Sequence, residues 1–188
     1  MREEIAIVAY DPAWAEQFNE EKARILALLG SEAKAIEHVG STAIPGQAAK
    51  PIIDMFVAVT PFRDDAAYST RLGPATYRYL RTGMTERHLF SKFTNGIWTH
   101  NVHILPYSVD FHDRNELLFR DFLRRRPALV RRYEEAKRRA SQEAGGDMEA
   151  YTRLKTGFIQ EVVDAARAER GLPPQDVWTN EPKSESNN

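Results

Sequence analysis

The spacing of hydrophobic and polar positions changes once along the chain, near residue 113. Before that point, short β-rich runs alternate with helical stretches, which predicts a sheet with helices packed on it. After it, apolar residues recur at helical spacing as far as about Ala166. The pattern therefore predicts one α/β (α+β) domain over residues 1–171, with a mixed-sheet core over about 1–110 and a helical layer over about 111–171.

Local signals predict the individual elements. Asp11 and Pro12 supply an N-cap residue and a first-turn proline for a helix that ends at Gly30. A polar helix is expected between Pro61 and Leu72. Strands are predicted at 5–10, 33–39, 51–59, 77–82, 87–93 and 98–105. Because residues 172–188 are rich in Pro, Ser and Asn and have little to bury, we expect a disordered or loosely docked tail there.

The amino-acid composition excludes several classes of protein and of functional site. Among 188 residues, 26 basic and 27 acidic side chains nearly cancel, so any affinity for a polyanion must come from a local patch. The sequence has no cysteine, which excludes disulfides, cysteine zinc sites and thiol nucleophiles and fits a reducing compartment. We find no signal-peptide pattern and no apolar run of roughly 18 residues, so we expect a cytoplasmic protein with no membrane partner.

A single charge, Asp54, interrupts the most apolar run of the sequence. Burying a carboxylate costs several kcal/mol unless it is paired or bound to a metal, so Asp54 has either a structural partner or a function. Upstream, Gly40 can bring backbone close to a ligand, and Ser41 can open a turn that suits phosphate. Lys50 stands just before the strand. We therefore expect Gly40, Ser41, Lys50 and Asp54 to line one cleft.

These residues belong to a longer series of motifs. In chain order they are HVGSTAIPG at 38–46, AKPIID at 49–54, RHLFSK at 87–92, His103, LFRDFLR at 118–124, Pro127, Tyr133 and the pair Tyr151 and Lys155. The series, which covers about residues 5–166, resembles the signature of the GrpB (glutamate-rich protein B, UPF0157) family of the nucleotidyltransferase superfamily.

The resemblance implies a nucleotidyltransferase-like fold, a Gly-Ser turn that holds a nucleoside triphosphate, and strand carboxylates that hold Mg²⁺ or Mn²⁺. It makes Asp54 and Lys50 the candidate catalytic residues, and Asp54 with His103 the candidate metal ligands. The candidate nucleotide-binding residues are Gly40, Ser41, Thr42, Lys50, Arg87, Lys92, Tyr151 and Lys155. Tyr151 and Lys155 share a helix face, which we expect to look into the same cleft as Asp54.

One position departs from the superfamily pattern. A second metal-binding acid should follow Asp54 by two residues on the same strand face, and Phe56 stands there. Phenylalanine cannot bind magnesium, and we expect Phe56 to pack in the core because Ile52 and Ala58 make its strand face largely apolar. Transfer would then use one metal, helped by His103 or by Glu37 and His38, or the fold would serve binding alone.

The basic run over residues 114–139 forms several acid-first i,i+4 pairs, which favours a solvated helix face and makes nucleic acid an unlikely partner. Taken with the resemblance, these residues lead us to expect a protein that binds a nucleoside triphosphate and, if it is catalytic, transfers a nucleotidyl group to a small acceptor with a divalent metal. The alternative is a non-catalytic binding or regulatory domain. A third interpretation is a link to coenzyme A metabolism, because GrpB-like domains occur fused to dephospho-CoA kinase.

Overall fold

The computed structural model describes residues 6–177. Within them the helices are α1 (Ala13–Leu29), α2 (Asp65–Leu72), α3 (Asn115–Arg124), α4 (Pro127–Ala144) and α5 (Met148–Glu169). The strands are β1 (Ala33–Val39), β2 (Ile53–Val59), β3 (Tyr77–Leu80), β4 (His88–Thr94) and β5 (Ile97–Pro106). The predicted α+β class, a mixed sheet followed by a helical layer, is confirmed. No helix in the described range is long and apolar enough to span a membrane.

The strands form one sheet in the order β1-β2-β5-β4-β3. Only β2 and β5 run parallel, and the other neighbours are antiparallel. This order places β2 between two strands with helices over both faces, which explains its nearly continuous apolar sequence. In the β2–β5 register Asp54 lies opposite Asn101, and Phe56 lies opposite His103.

The two faces of the sheet pack differently. The first, which we call the α1 face, includes Met55, Val57, Phe90 and Val102 and is covered by the apolar sides of α1 and α2. The second, which we call the cavity face, carries Asp54, Phe56, Asn101 and His103 and lies toward the C-terminal helices. Phe56 is buried there with Val39, Ala58, Leu105, Phe111 and Leu117, so its predicted core position is confirmed.

The predicted strand at 5–10 is wrong for the part that the structure describes; residue 5 lies outside it. Val8 forms a single antiparallel bridge with Ala49, through N···O distances of 2.9 and 3.0 Å. The chain then turns into α1, where Asp11 Oδ1 accepts a hydrogen bond from Ala13 N at 2.9 Å.

The first six residues of the predicted tail are docked on the helices. Leu172 and Val177 pack against the apolar cluster of α3, α4 and α5. The Gln160 amide donates to Gln175 O and accepts from Val177 N, both at 3.0 Å. The ordered part of the domain therefore continues to at least Val177. Residues 178–188 lie outside the described residues.

Candidate functional site

A cavity of about 430 Å³ lies between the cavity face of the sheet and the helical layer. Its walls come from the turn after β1, from β2, from the segment between β5 and α3, from α4 and α5, and from residues 175–177. The charged residues that line it are Asp54, Arg87, Asp110, Asp113, Arg114, Glu116, Lys155 and Asp176. The α+β core and the helical layer thus meet at a charged cavity.

Asp54 stands at the floor of this cavity and is held by a neutral donor. Asn101 Nδ2 donates to Asp54 Oδ1 at 2.9 Å. The Asn101 amide is itself oriented by Ser91 Oγ and Trp98 Nε1, each of which donates to its oxygen at 3.1 Å. Burial raises the pKa of Asp54 from 3.8 to about 6, against the lowering effect of the Asn101 hydrogen bond. The carboxylate therefore titrates near neutral pH.

Gly40 brings the turn after β1 against this carboxylate. Its backbone has φ 72° and ψ −170°, a region that only glycine enters readily. A Cβ atom built on Gly40 would lie 2.5 Å from Asp54 Oδ2. Gly40, Ser41 and Asp54 consequently line the cavity together.

Thr42, expected among the nucleotide-binding residues, instead ties the turn to β2. Its hydroxyl donates to Ile52 O at 3.2 Å, so His38 Nε2, 3.0 Å away, must be the donor in the contact with Thr42 Oγ1. Both side chains are buried, and neither lines the cavity. Burial and the nearby Arg124 and Arg120 lower the pKa of His38 to about 4. Thr42 and the neutral His38 therefore support the turn and do not line the cavity.

On the helical side, Lys155 lines the cavity, and Tyr151 lies behind it. Lys155 Nζ sits 3.9 Å from the centre of the Tyr151 ring, whereas Tyr151 packs with Ala140 and Ala144. Burial lowers the pKa of Lys155 to about 8, against the opposing attraction of Asp54. Of the two residues expected to face Asp54, Lys155 reaches the cavity, and Tyr151 is a buried support that does not line it.

Tyr133 of α4 lines the cavity beside Ser41. The two hydroxyl groups are hydrogen-bonded, and burial raises the pKa of Tyr133 to about 12. The phenol therefore stays protonated at neutral pH and presents a neutral O–H group to the turn.

The other expected cations are distributed over three places. Arg87 lines the cavity and donates to Glu116 Oε1 at 3.0 Å. Lys50 lies outside the lining, with its Nζ 4.6 Å from the centre of the Trp98 ring. Lys92 points to the α1 face and forms an ion pair with the buried Glu21, so its assignment to the nucleotide site is wrong. Side chains alternate between the two faces of a strand, so Lys92 lies on the same face as Phe90, which is the α1 face.

The surroundings of His103 do not fit a divalent metal. Its ring contacts Phe56 edge-on at 5.5 Å, and its buried Nδ1 has no hydrogen-bond partner within residues 6–177. Burial, Arg87 and Arg114 lower its pKa to about 3, and the two guanidinium groups would also repel a metal ion. In the described part of the chain, no three His, Asp or Glu side chains are arranged so that they could hold one metal ion. A superfamily-type two-metal site is therefore not assembled here.

Asn101, which holds Asp54, and Arg114, which lines the cavity, are not predicted as site residues from the sequence. Asn101 becomes visible only when the parallel pairing of β2 with β5 is known, because that register places it opposite Asp54. Arg114 was counted within the basic run of the helical half, although it precedes the first residue of α3 and lines the cavity.

Comparison with known proteins gives the family. The sequence profile described as GrpB protein matches residues 4–165. "Glutamate-rich protein GrpB" of Alkalihalophilus pseudofirmus is 32% identical over 166 residues, covering 86% of this chain and 95% of that protein. A dephospho-CoA kinase of Mycolicibacterium paratuberculosis is 31% identical, over 85% of this chain but 45% of its own length.

A solved structure leads to the same family. The crystal structure of the conserved protein GrpB from Enterococcus faecalis superposes with a TM-score of 0.78 at 30% identity, covering 88% of this chain and 99% of the other. The profile, the relative and the structure each cover most of the chain that carries the cavity. This chain belongs to the GrpB family.

Proposed function

We propose that this GrpB-family protein binds a nucleoside phosphate in the cavity above Asp54. The observation that supports the proposal is the convergence of Arg87, Arg114 and Lys155 on one cavity of about 430 Å³. That volume lies within the usual range for small-molecule sites. Guanidinium and ammonium groups are the side chains that bind phosphate oxygens most strongly.

The pairing of these cations also supports a ligand of negative charge. Within residues 6–177, neither Arg114 nor Lys155 forms an ion pair, whereas Arg87 is paired with Glu116. A charge that is desolvated without a partner costs free energy. A bound phosphate would supply the missing partner, and the lowered pKa of Lys155 would rise when it binds.

A second candidate function is nucleotidyl transfer, which Asp54 favours. Its pKa of about 6 suits a base that is ionised at neutral pH and can accept a proton. In the proposed step an acceptor hydroxyl oxygen attacks the α-phosphorus of a nucleoside triphosphate. The bond from that phosphorus to the pyrophosphate oxygen breaks, pyrophosphate leaves, and the hydroxyl proton passes to Asp54. Because Phe56 occupies the position of a second acid, we rank binding without transfer first.

The likeness to a dephospho-CoA kinase suggests dephospho-CoA as one specific candidate ligand. Dephospho-CoA contains an adenosine phosphate, so it has the chemistry that we propose for the cavity. The likeness covers less than half of that protein, and its kinase activity is not transferred to this chain. We also propose a cytoplasmic location, where nucleoside phosphates are made and used.

Isothermal titration calorimetry with ATP, GTP, CTP, UTP and dephospho-CoA tests the binding proposal. We expect at least one to bind, and Lys155→Met to weaken it by about tenfold or more. The matched control is Lys34→Met, which changes an exposed lysine in β1. Absence of binding by all five ligands, or equal affinity in Lys155→Met and wild type, would contradict the proposal.

Release of pyrophosphate from the bound triphosphate, with and without a pool of small hydroxyl acceptors, separates transfer from binding. Transfer predicts acceptor-dependent release that Asp54→Asn abolishes while the triphosphate still binds. Binding alone predicts no release by the wild type.

A further inference from the structure

Two positively charged side chains lie over the strand position two residues after Asp54. Phe56 fills that position, and two guanidinium groups lie over its ring. The guanidinium carbons of Arg87 and Arg114 are 5.8 and 5.7 Å from the ring centre. Both distances are within cation–π range, so the ring itself helps to hold the two cations. Both arginines line the cavity that contains Asp54.

The two arginines form an incompletely neutralised pair. Arg87 donates to Glu116 and also contacts Met84 Sδ with its Nε at 2.9 Å, which fixes the direction of its guanidinium. Arg114 forms no ion pair within residues 6–177, and its Nε there has no hydrogen-bond partner. Two like charges on one ring repel each other, and an anion placed between them relieves that repulsion.

Two of the neighbouring acids are already paired with other arginines. Asp113 is engaged by Arg170 at 2.9 Å, and Glu116 by Arg87. Asp110 lies close enough for Arg114 to lower its pKa, although Ser108 is the larger cause, and its side chain is on the exposed segment after β5. Arg114 therefore lies over the Phe56 ring at the cavity wall without a direct ion pair to Asp110, Asp113 or Glu116.

Resting on the nucleoside-phosphate function above, we propose that Arg87 and Arg114 bind the terminal phosphates of the ligand in place of divalent metal ions. Each guanidinium presents a planar fork of N–H donors that matches phosphate oxygens. An acid at position 56 would compete with the phosphate for both arginines, whereas the Phe56 ring does not. Phosphate binding in this protein then needs no added metal.

The test compares binding of ATP and of inorganic tripolyphosphate in EDTA and in Mg²⁺. We expect both to bind in EDTA, with an affinity within about threefold of that in Mg²⁺. Arg114→Gln should weaken both ligands by about tenfold or more, whether metal is present or not. Arg114→Lys keeps the charge and loses the fork, so it should recover part of the affinity. Arg132→Gln, an exposed arginine paired with Glu161 on the helical surface, is the matched control.

The outcomes separate this inference from the proposed function. Binding of ATP only in Mg²⁺, or full affinity in Arg114→Gln, would overturn the metal-free site and leave the nucleotide function standing. Binding of tripolyphosphate without any nucleoside phosphate would support the arginine site and overturn the nucleotide function. Binding of neither probe would overturn both. Thermal melts of each variant establish that it is folded, and Arg114→Lys keeps the test decisive if Arg114→Gln fails to fold.

Discussion

The two faces of the sheet each hold a buried or half-buried carboxylate, and the two acids have opposite surroundings. On the α1 face, Glu21 is 2% exposed, and both of its oxygens accept hydrogen bonds, one from the Tyr77 hydroxyl and one from Lys92 Nζ. On the cavity face, Asp54 has the neutral Asn101 amide as its hydrogen-bond donor and looks into the cavity.

The contrast between Glu21 and Asp54 distinguishes charged groups that stabilise the fold from charged groups that we assign to ligand binding. The charge on Glu21 is neutralised by a residue of the chain itself, so this carboxylate can be buried in the core without an unpaired charge. Asp54 and Lys155 share a cavity without forming an ion pair, and burial shifts both pKa values toward neutrality. Such charges cost stability in the free protein, which is characteristic of functional sites.

The largest effect is expected on the α1 face. Glu21→Gln leaves Lys92 charged and nearly buried without its partner, which typically costs about 3–5 kcal/mol of unfolding free energy. Urea denaturation measures the loss, and Glu20→Gln on the exposed side of α1 is the control. A loss below about 1 kcal/mol would show that the Glu21 ion pair does not stabilise the core.

A smaller loss is expected at the turn that touches Asp54. Gly40→Ala places a methyl group 2.5 Å from Asp54 Oδ2 and strains a backbone with φ 72°, at a cost of about 2–3 kcal/mol. Gly46→Ala is the matched control, because its φ is 77° and its Cβ would meet nothing within 4 Å. Equal destabilisation of the two variants would mean that the close approach to Asp54 carries no cost.

The smallest effect has the opposite sign. The folded pKa of Asp54 is raised above its ordinary value of 3.8, so its charge costs stability above about pH 6, and the cost fades as pH falls toward 4. Asp54→Asn should therefore raise the unfolding free energy by about 1–2 kcal/mol at pH 8 and by little at pH 4. Denaturant titrations at both pH values measure this, and destabilisation at pH 8 would contradict the contrast with Glu21.

Sequence reasoning located the features that depend on local order along the chain. The Asp11-Pro12 start and Gly30 end of α1, the buried run around Asp54 and the core position of Phe56 follow from caps, spacing and burial cost. These signals involve neighbouring residues, so one sequence carries them.

Features that depend on pairing between distant segments could not be predicted in the same way. Lys92 was misassigned because the β4 register, rather than its charge, decides which face it joins. The role of Thr42 depends on a carbonyl ten residues away. Docking of residues 172–177 depends on hydrogen bonds to Gln160 and Arg167 and on packing against the apolar cluster of the helical layer.

One pair of lysine variants tests the contrast between the faces most directly. Lys155→Met and Lys92→Met make the same chemical change on opposite faces, and both are followed by calorimetric ATP binding and by denaturation. We predict that Lys155→Met loses ATP affinity about tenfold or more with stability unchanged or raised, because a desolvated charge is removed. Lys92→Met should lose stability and, where folded, retain ATP affinity. The reverse pattern, or the same pattern in both variants, would contradict the assignment of the cavity charges to a ligand.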